Sequence, residues 1–168
     1  MKKVNLLIIG FAAILTSCNQ YQAKTVKLDN MVDSLNYTLG LANGAGMKQY
    51  YLQNDTTGVG MATLLDAIND AFNAKDDAKA SDELYELGKQ IGSSLKAQEK
   101  EGLMGEKDLE FNIELAMQGL VNGLNAYEKG MQGEEARTYF QTSIEELRAA
   151  AISAATETTE TTEPAAAE

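Results

Sequence analysis

Cys18 is the only thiol in the 168-residue chain, and the chain has no histidine. Without imidazole there is neither the commonest general base nor the commonest zinc ligand. With a single cysteine, an intrachain disulfide is impossible. Two carboxylate pairs have a spacing that puts both members on one helix face, Asp66 with Asp70 and Glu110 with Glu114. Paired carboxylates of this kind hold metals or exchange protons, but a helical two-metal site usually adds a Glu-x-x-His motif. These pairs are therefore read as solvated faces. Asp76-Asp77 and Glu134-Glu135 lack the spaced ligands of a calcium loop. Gly58-Val59-Gly60 is too short for a phosphate cradle and has no lysine beside it. Serine and threonine are plentiful, yet no base stands ready to activate them. The expectation is a protein with no catalytic residues, no metal and no cofactor.

Cys18 has a setting of its own. Lys2 and Lys3 precede an apolar run from Val4 to Leu15, interrupted by Asn5 and Gly10. That is the layout of a secretory signal peptide, and it is short for a permanent membrane span. The run exits through Leu15-Thr16-Ser17-Cys18, which resembles the bacterial lipobox: a branched apolar residue, two small residues, then the cysteine that receives diacylglycerol. The resemblance implies that residues 1–17 are cleaved and that Cys18 carries lipid. Lipid on one residue anchors a protein without a transmembrane helix. Asn19 is not the aspartate that retains some lipoproteins at the inner membrane, and no acidic cluster follows Cys18. The expected location is the cell envelope, on the periplasmic face of the outer membrane.

The chain left after such cleavage has 12 basic and 25 acidic residues, a net charge of −13. A surface of that sign disfavours nucleic acid and anionic headgroups as partners. There is no tryptophan, and the single proline is Pro164, in the tail. A long proline-free stretch rich in Ala, Leu, Glu, Lys and Gln favours helices.

Spacings of three and four between apolar residues recur along the middle of the chain. They predict an all-α domain over 30–152, preceded by a tether at 18–29 and followed by a disordered acidic tail at 153–168. Five helices are expected. The first runs from about Met31 to Gln53, capped by Asp33 or Ser34. The second runs from Val59 to Asn73, with Met61, Leu64, Leu65, Ile68 and Phe72 on its apolar stripe. The third starts at Ser81 and ends near Gly102. The fourth runs from Lys107 to Tyr127 through Leu109, Ile113, Met117, Leu120 and Leu124. The fifth runs from Gly133 to Ile152 through Ala136, Phe140, Ile144 and Leu147.

The first four helices are two copies of one pair. Tyr37, Leu39, Gly40, Gly44 and Lys48 recur 48 residues later as Tyr85, Leu87, Gly88, Gly92 and Lys96. Leu65, Ile68 and Phe72 recur 52 residues later as Met117, Leu120 and Leu124. Period and motif do not fit a tetratricopeptide array. Glycine inside a helix costs ~1 kcal/mol relative to alanine, so its repetition needs a reason. Gly40 with Gly44, and Gly88 with Gly92, each line one face and let a second helix backbone approach closely. Tyr37, Leu39, Gly40 and Gly44, together with Tyr85, Leu87, Gly88, Ile91, Gly92 and Leu95, are thus the expected helix-crossing or interface residues. The two pairs can complete each other within one chain or be exchanged between two.

Residues 31–48 (MVDSLNYTLGLANGAGMK), 84–100 (LYELGKQIGSSLKAQEK), 117–124 (MQGLVNGL) and 133–148 (GEEARTYFQTSIEELR) together resemble the helical domain that precedes the catalytic domain in bacterial FKBP-type peptidyl-prolyl isomerases, the macrophage infectivity potentiator group included. The Tyr85–Lys96 run carries the likeness most specifically, and the likeness spans about residues 30–150. In that family the domain is helical, dimerises through intertwined helices and serves folding clients in the periplasm. The resemblance implies a homodimer or a pairing with an FKBP-type isomerase, with unfolded proteins as clients. The family's isomerase domain is a β-sheet half-barrel of about a hundred residues, and no segment here matches it, so no active-site residue carries over. The other reading, from a different class, is a periplasmic module that binds a small ligand or peptide in a groove between helices.

Overall fold

The computed structural model describes residues 21–73 and 83–160, with side chains as far as Ser153. Cys18, the signal segment and the expected cap Ser81 lie outside the described residues. Within them the fold is all-α, with five helices in chain order: α1 Met31–Tyr51, α2 Val59–Phe72, α3 Glu83–Glu101, α4 Ile113–Leu124 and α5 Gly133–Glu160. No helix among the described residues is long and apolar enough to cross a membrane.

The helix ends show what local chemistry does. α1 is capped by Asn30, whose side chain accepts from the Asp33 amide at 2.9 Å, ahead of the residues expected to cap it. Gly58, in the left-handed region, precedes α2 and offers no side-chain cap. Asp55 supplies one from three residues further back. Its Oδ2 accepts from the Met61 amide, and its Oδ1 accepts from the amides of Gly58 and Thr57 and from the Thr57 hydroxyl. The Met61 bond is the largest reason why the Asp55 carboxyl is held below its ordinary value; partial burial opposes it, and the Thr57 and Gly58 bonds reinforce it. A depressed folded pKa means stability present above the unfolded carboxylate value, about 3.9, and lost as pH falls through the folded one. Asp55→Ala is therefore expected to cost about 1 kcal/mol at neutral pH, the usual worth of a helix cap. The gap to the parent chain should begin to narrow below about pH 3.9 and go on narrowing as pH falls through the lowered folded value. Urea melts at pH 7 and pH 3 check this; a gap that widens in acid would refute it.

α4 starts at Ile113, six residues after the predicted Lys107. Residues 102–112 instead form a compact turn. Gly102, Met104 and Gly105 take positive φ, which breaks the helical path. Leu103 is fully buried, and its amide donates to the Leu109 carbonyl. Asn36 fixes the far end, with Nδ2 donating to the Glu110 carbonyl and Oδ1 accepting from the Asn112 amide. Asn112 then caps α4 by accepting from the Leu115 amide. At the other end of the fold, α5 continues to Glu160, eight residues past the predicted end at Ile152. The backbone of 153–160 is thus helical, and residues 161–168 of the expected disordered tail lie outside the described residues.

The two repeats are exchanged. α1 packs against α4, and α2 packs against α3, so the first helix of each copy meets the second helix of the other. In both crossings the helices run in the same direction. Leu64, Leu65 and Ile68 of α2 and Leu120, Val121 and Leu124 of α4 form the central core, closed by Leu52. Leu87, Ile91 and Leu95 of α3 pack on that core. α5 covers only the α1 side, where Leu35 and Leu39 join Leu103, Phe140 and Ile144. The asymmetry is chemical: the residue of α3 matching Leu35 is Glu83, which stays exposed.

Candidate functional site: glycine crossings and the N-terminal strap

A Cβ on Gly40 would overlap the Ala116 carbonyl oxygen and sit 2.7 Å from the Leu120 amide nitrogen. On Gly44 it would overlap the Leu120 carbonyl. On Gly88 it would lie 2.6 Å from the Ala67 Cβ and 2.7 Å from the Leu64 carbonyl, and on Gly92 it would overlap the Ile68 carbonyl. Ala116 and Leu120 stand 52 residues after Leu64 and Ile68, so the two crossings share one register. They differ in closeness. α4 contributes Gly119 and Gly123 where α2 has Ala67 and Ala71, so the α1–α4 crossing has glycine on both sides.

The other predicted interface residues flank these crossings. Tyr37 and Tyr85 are buried at equivalent places, each 8 % exposed. Leu39 turns toward α5, whereas its counterpart Leu87 turns, with Ile91 and Leu95, to the central core. Lys96 closes the α2–α3 pair by donating to the Phe72 carbonyl at 2.6 Å, a cation on the C-terminal end of a helix.

Sequence reasoning missed the polar centre of the fold. Asn122 is fully buried on α4, and its side-chain amide is hydrogen-bonded on both sides. Nδ2 donates to the Tyr37 hydroxyl at 2.9 Å and to the Lys24 carbonyl at 2.8 Å. Oδ1 accepts from the Lys24 amide at 3.1 Å and from Gln118 Nε2 at 2.9 Å. Gln118 Nε2 also donates to the Gln22 carbonyl at 3.0 Å. Tyr21 donates to Asp66 Oδ1 on α2, and Thr25 shares a hydroxyl bond with Tyr127. Residues 21–29, part of the expected tether, thus form a strap fastened across α4 and, through Tyr21, to α2. No apolar pattern singles out Asn122 in the sequence, because Gln118 and Asn125 share its helix face.

Two open clefts lie against α1, the second of them beside the strap. One, of about 400 Å³, runs between the C-terminal half of α1, the end of α4 and the 126–133 turn, with Lys48 at its edge. The other, of about 340 Å³, is bounded by Val26, Leu28, Tyr37, Met131 and Tyr139. Asp66 serves the strap, and no cluster of three metal-ligating side chains exists among the described residues. No protein-family profile, curated protein or solved structure matches the chain.

Proposed function

We propose that this chain is a membrane-tethered, non-catalytic helical module that holds segments of other envelope proteins, related to the front domain of FKBP-type isomerases. The observation that carries the reading is the pair of glycine crossings, closed in one register inside a single chain. The resembling family joins two chains through intertwined helices, and here two repeats in one chain make the equivalent exchange. The module therefore works as a single-chain counterpart of that dimer, with its outer faces left for an isomerase or a client. The lipobox-like Leu15–Cys18 supports the tether. The cleft of about 400 Å³ supports a second reading, since it falls within the size range of small-ligand sites.

The test has two arms. The chain from Cys18 onward should suppress aggregation of a chemically denatured model protein without speeding prolyl isomerisation of a tetrapeptide. In cells, Cys18→Ala should abolish labelling by a fatty-acid analogue and move the protein from membrane to soluble fraction. Isomerase activity that copurifies with the chain, or labelling that survives Cys18→Ala, would overturn the corresponding half.

A further inference from the structure

Beside the side-chain bonds of Tyr21 and Thr25, α4 holds the strap through its backbone. Asn122 engages both the amide and the carbonyl of Lys24, and Gln118 takes the carbonyl of Gln22, two residues earlier. Along residues 21–24 burial alternates: Tyr21 and Ala23 are half-buried, Gln22 and Lys24 exposed. That two-residue period is the mark of extended chain. The inward side chains are an aromatic ring packed on the central core and a methyl group, followed by Val26 beside Tyr37 and Leu41. An amide side chain that pairs with one residue's N–H and C=O accepts any sequence able to lie extended, and shallow seats for alternate side chains add a mild preference.

We propose that the Gln118–Asn122 face of α4 is a site for an extended peptide segment, and that residues 21–26 are its built-in occupant. The ligand is chemically an unfolded stretch with an aromatic residue, a small residue two positions on, and an aliphatic residue three beyond that. The site deepens the client-holding part of the function proposed above, and it is independent of lipid attachment. Asn122 is oriented to grip a backbone, because Tyr37 and Gln118 each bond one of its two polar groups from within the fold. Joined directly to α1, the strap competes at an effective concentration on the order of millimolar, which keeps the face covered until a client displaces it.

The probe is a fluorescein-labelled peptide of this chain's own residues 20–28, followed by anisotropy with the chain from Cys18 onward. Lys24→Pro in the protein removes the strap's amide donor. Together with Tyr21→Ala it should tighten peptide binding at least ~10-fold over the parent chain, because the internal competitor is lost. Adding Asn122→Leu should abolish that binding. A peptide with serine at the positions of Gln22, Lys24 and Thr25 should bind within ~3-fold of the original, and one with proline at the position of Lys24 should not bind. A second measurement needs no variant: saturating unlabelled peptide should speed hydrogen exchange of the Lys24 amide in the parent chain at least ~10-fold. No saturable binding to a natively folded strap variant, undiminished binding after Asn122→Leu, or unchanged Lys24 exchange would overturn the proposal. Lipid labelling at Cys18 is read separately, so failure of the tether and failure of this site are distinguishable.

Discussion

Gly40→Ala should lower the stability of the chain by about 2 kcal/mol, while Gly46→Ala, six residues along the same helix, should raise it by up to ~1 kcal/mol. Both substitutions add one methyl group to a helix interior and gain the same intrinsic propensity. They differ in what the methyl meets. At Gly40 it meets the Ala116 carbonyl and the Leu120 amide, which are backbone atoms of α4 and cannot swing aside. Either the crossing opens or α1 rotates, and both loosen the Gly119 and Gly123 contacts on the facing helix. Overpacking of this kind costs up to ~3 kcal/mol, from which the propensity gain subtracts about 1. At Gly46 the nearest atom is Arg137 Nη2 at 3.5 Å, the mobile end of a long side chain in ordinary contact. Urea denaturation of both variants with tryptophan-free detection, such as far-ultraviolet dichroism, gives the comparison. Equal signs for the two would refute the crossing as the reason for the glycine.

Leu103→Ala should cost about 3 kcal/mol, within the range of ~2–5 for a buried leucine. Leu103 is 0 % exposed although it lies in a turn. It packs with Leu35 of α1 and with Phe140 and Ile144 of α5, so its side chain ties the turn to both helices. The cavity left by alanine cannot collapse easily. The turn around it is held by the amide of Leu103 on the Leu109 carbonyl and by Asn36 on Glu110 and Asn112. Denaturation should show a lower midpoint with an unchanged slope, because the surface exposed on unfolding is nearly the same. A loss below about 0.5 kcal/mol, the size of a surface substitution, would mean that the turn is not a core element.

The helices were legible because a helix's apolar stripe is a local pattern. Leu64, Leu65 and Ile68 advertise α2 wherever its partner lies. The start of α4 was misplaced for the same reason. Leu109 is apolar and four residues before Ile113, in phase with it, but its path is decided by Asn36, on another helix, and by the positive φ angles at Gly102, Met104 and Gly105. The glycine spacing announced close approach without saying which helix approaches. That choice, α1 with α4 and α2 with α3, rests on the fit of whole faces across the repeats. The strap's hold on α4 was invisible because much of it is on backbone atoms: Gln22 and Lys24 are gripped through groups that every residue carries. Asn36 and Asn122 went unread because polar residues share their helix faces, Asp33 and Asn43 with the one and Gln118 and Asn125 with the other, so nothing local marked them as buried amides with their bonds made.

The exchange of partners between the repeats also sets an order of assembly. α2 and α3 are neighbours in the chain, and Lys96 reaches Phe72 only 24 residues back. α1 has no such neighbour: Asn36 must find Asn112, 76 residues on. Closing the longer loop costs more entropy, and a chain emerging amino-terminus first has α1 in solution well before α4 exists. During that interval α1 shows water a naked glycine face flanked by Tyr37 and Leu41, and the α2–α3 pair is the one piece able to form. α4, the last of the four to appear, is thus the keystone of the nascent chain: it brings both the partner for the glycine face of α1 and the side chains that bind the strap.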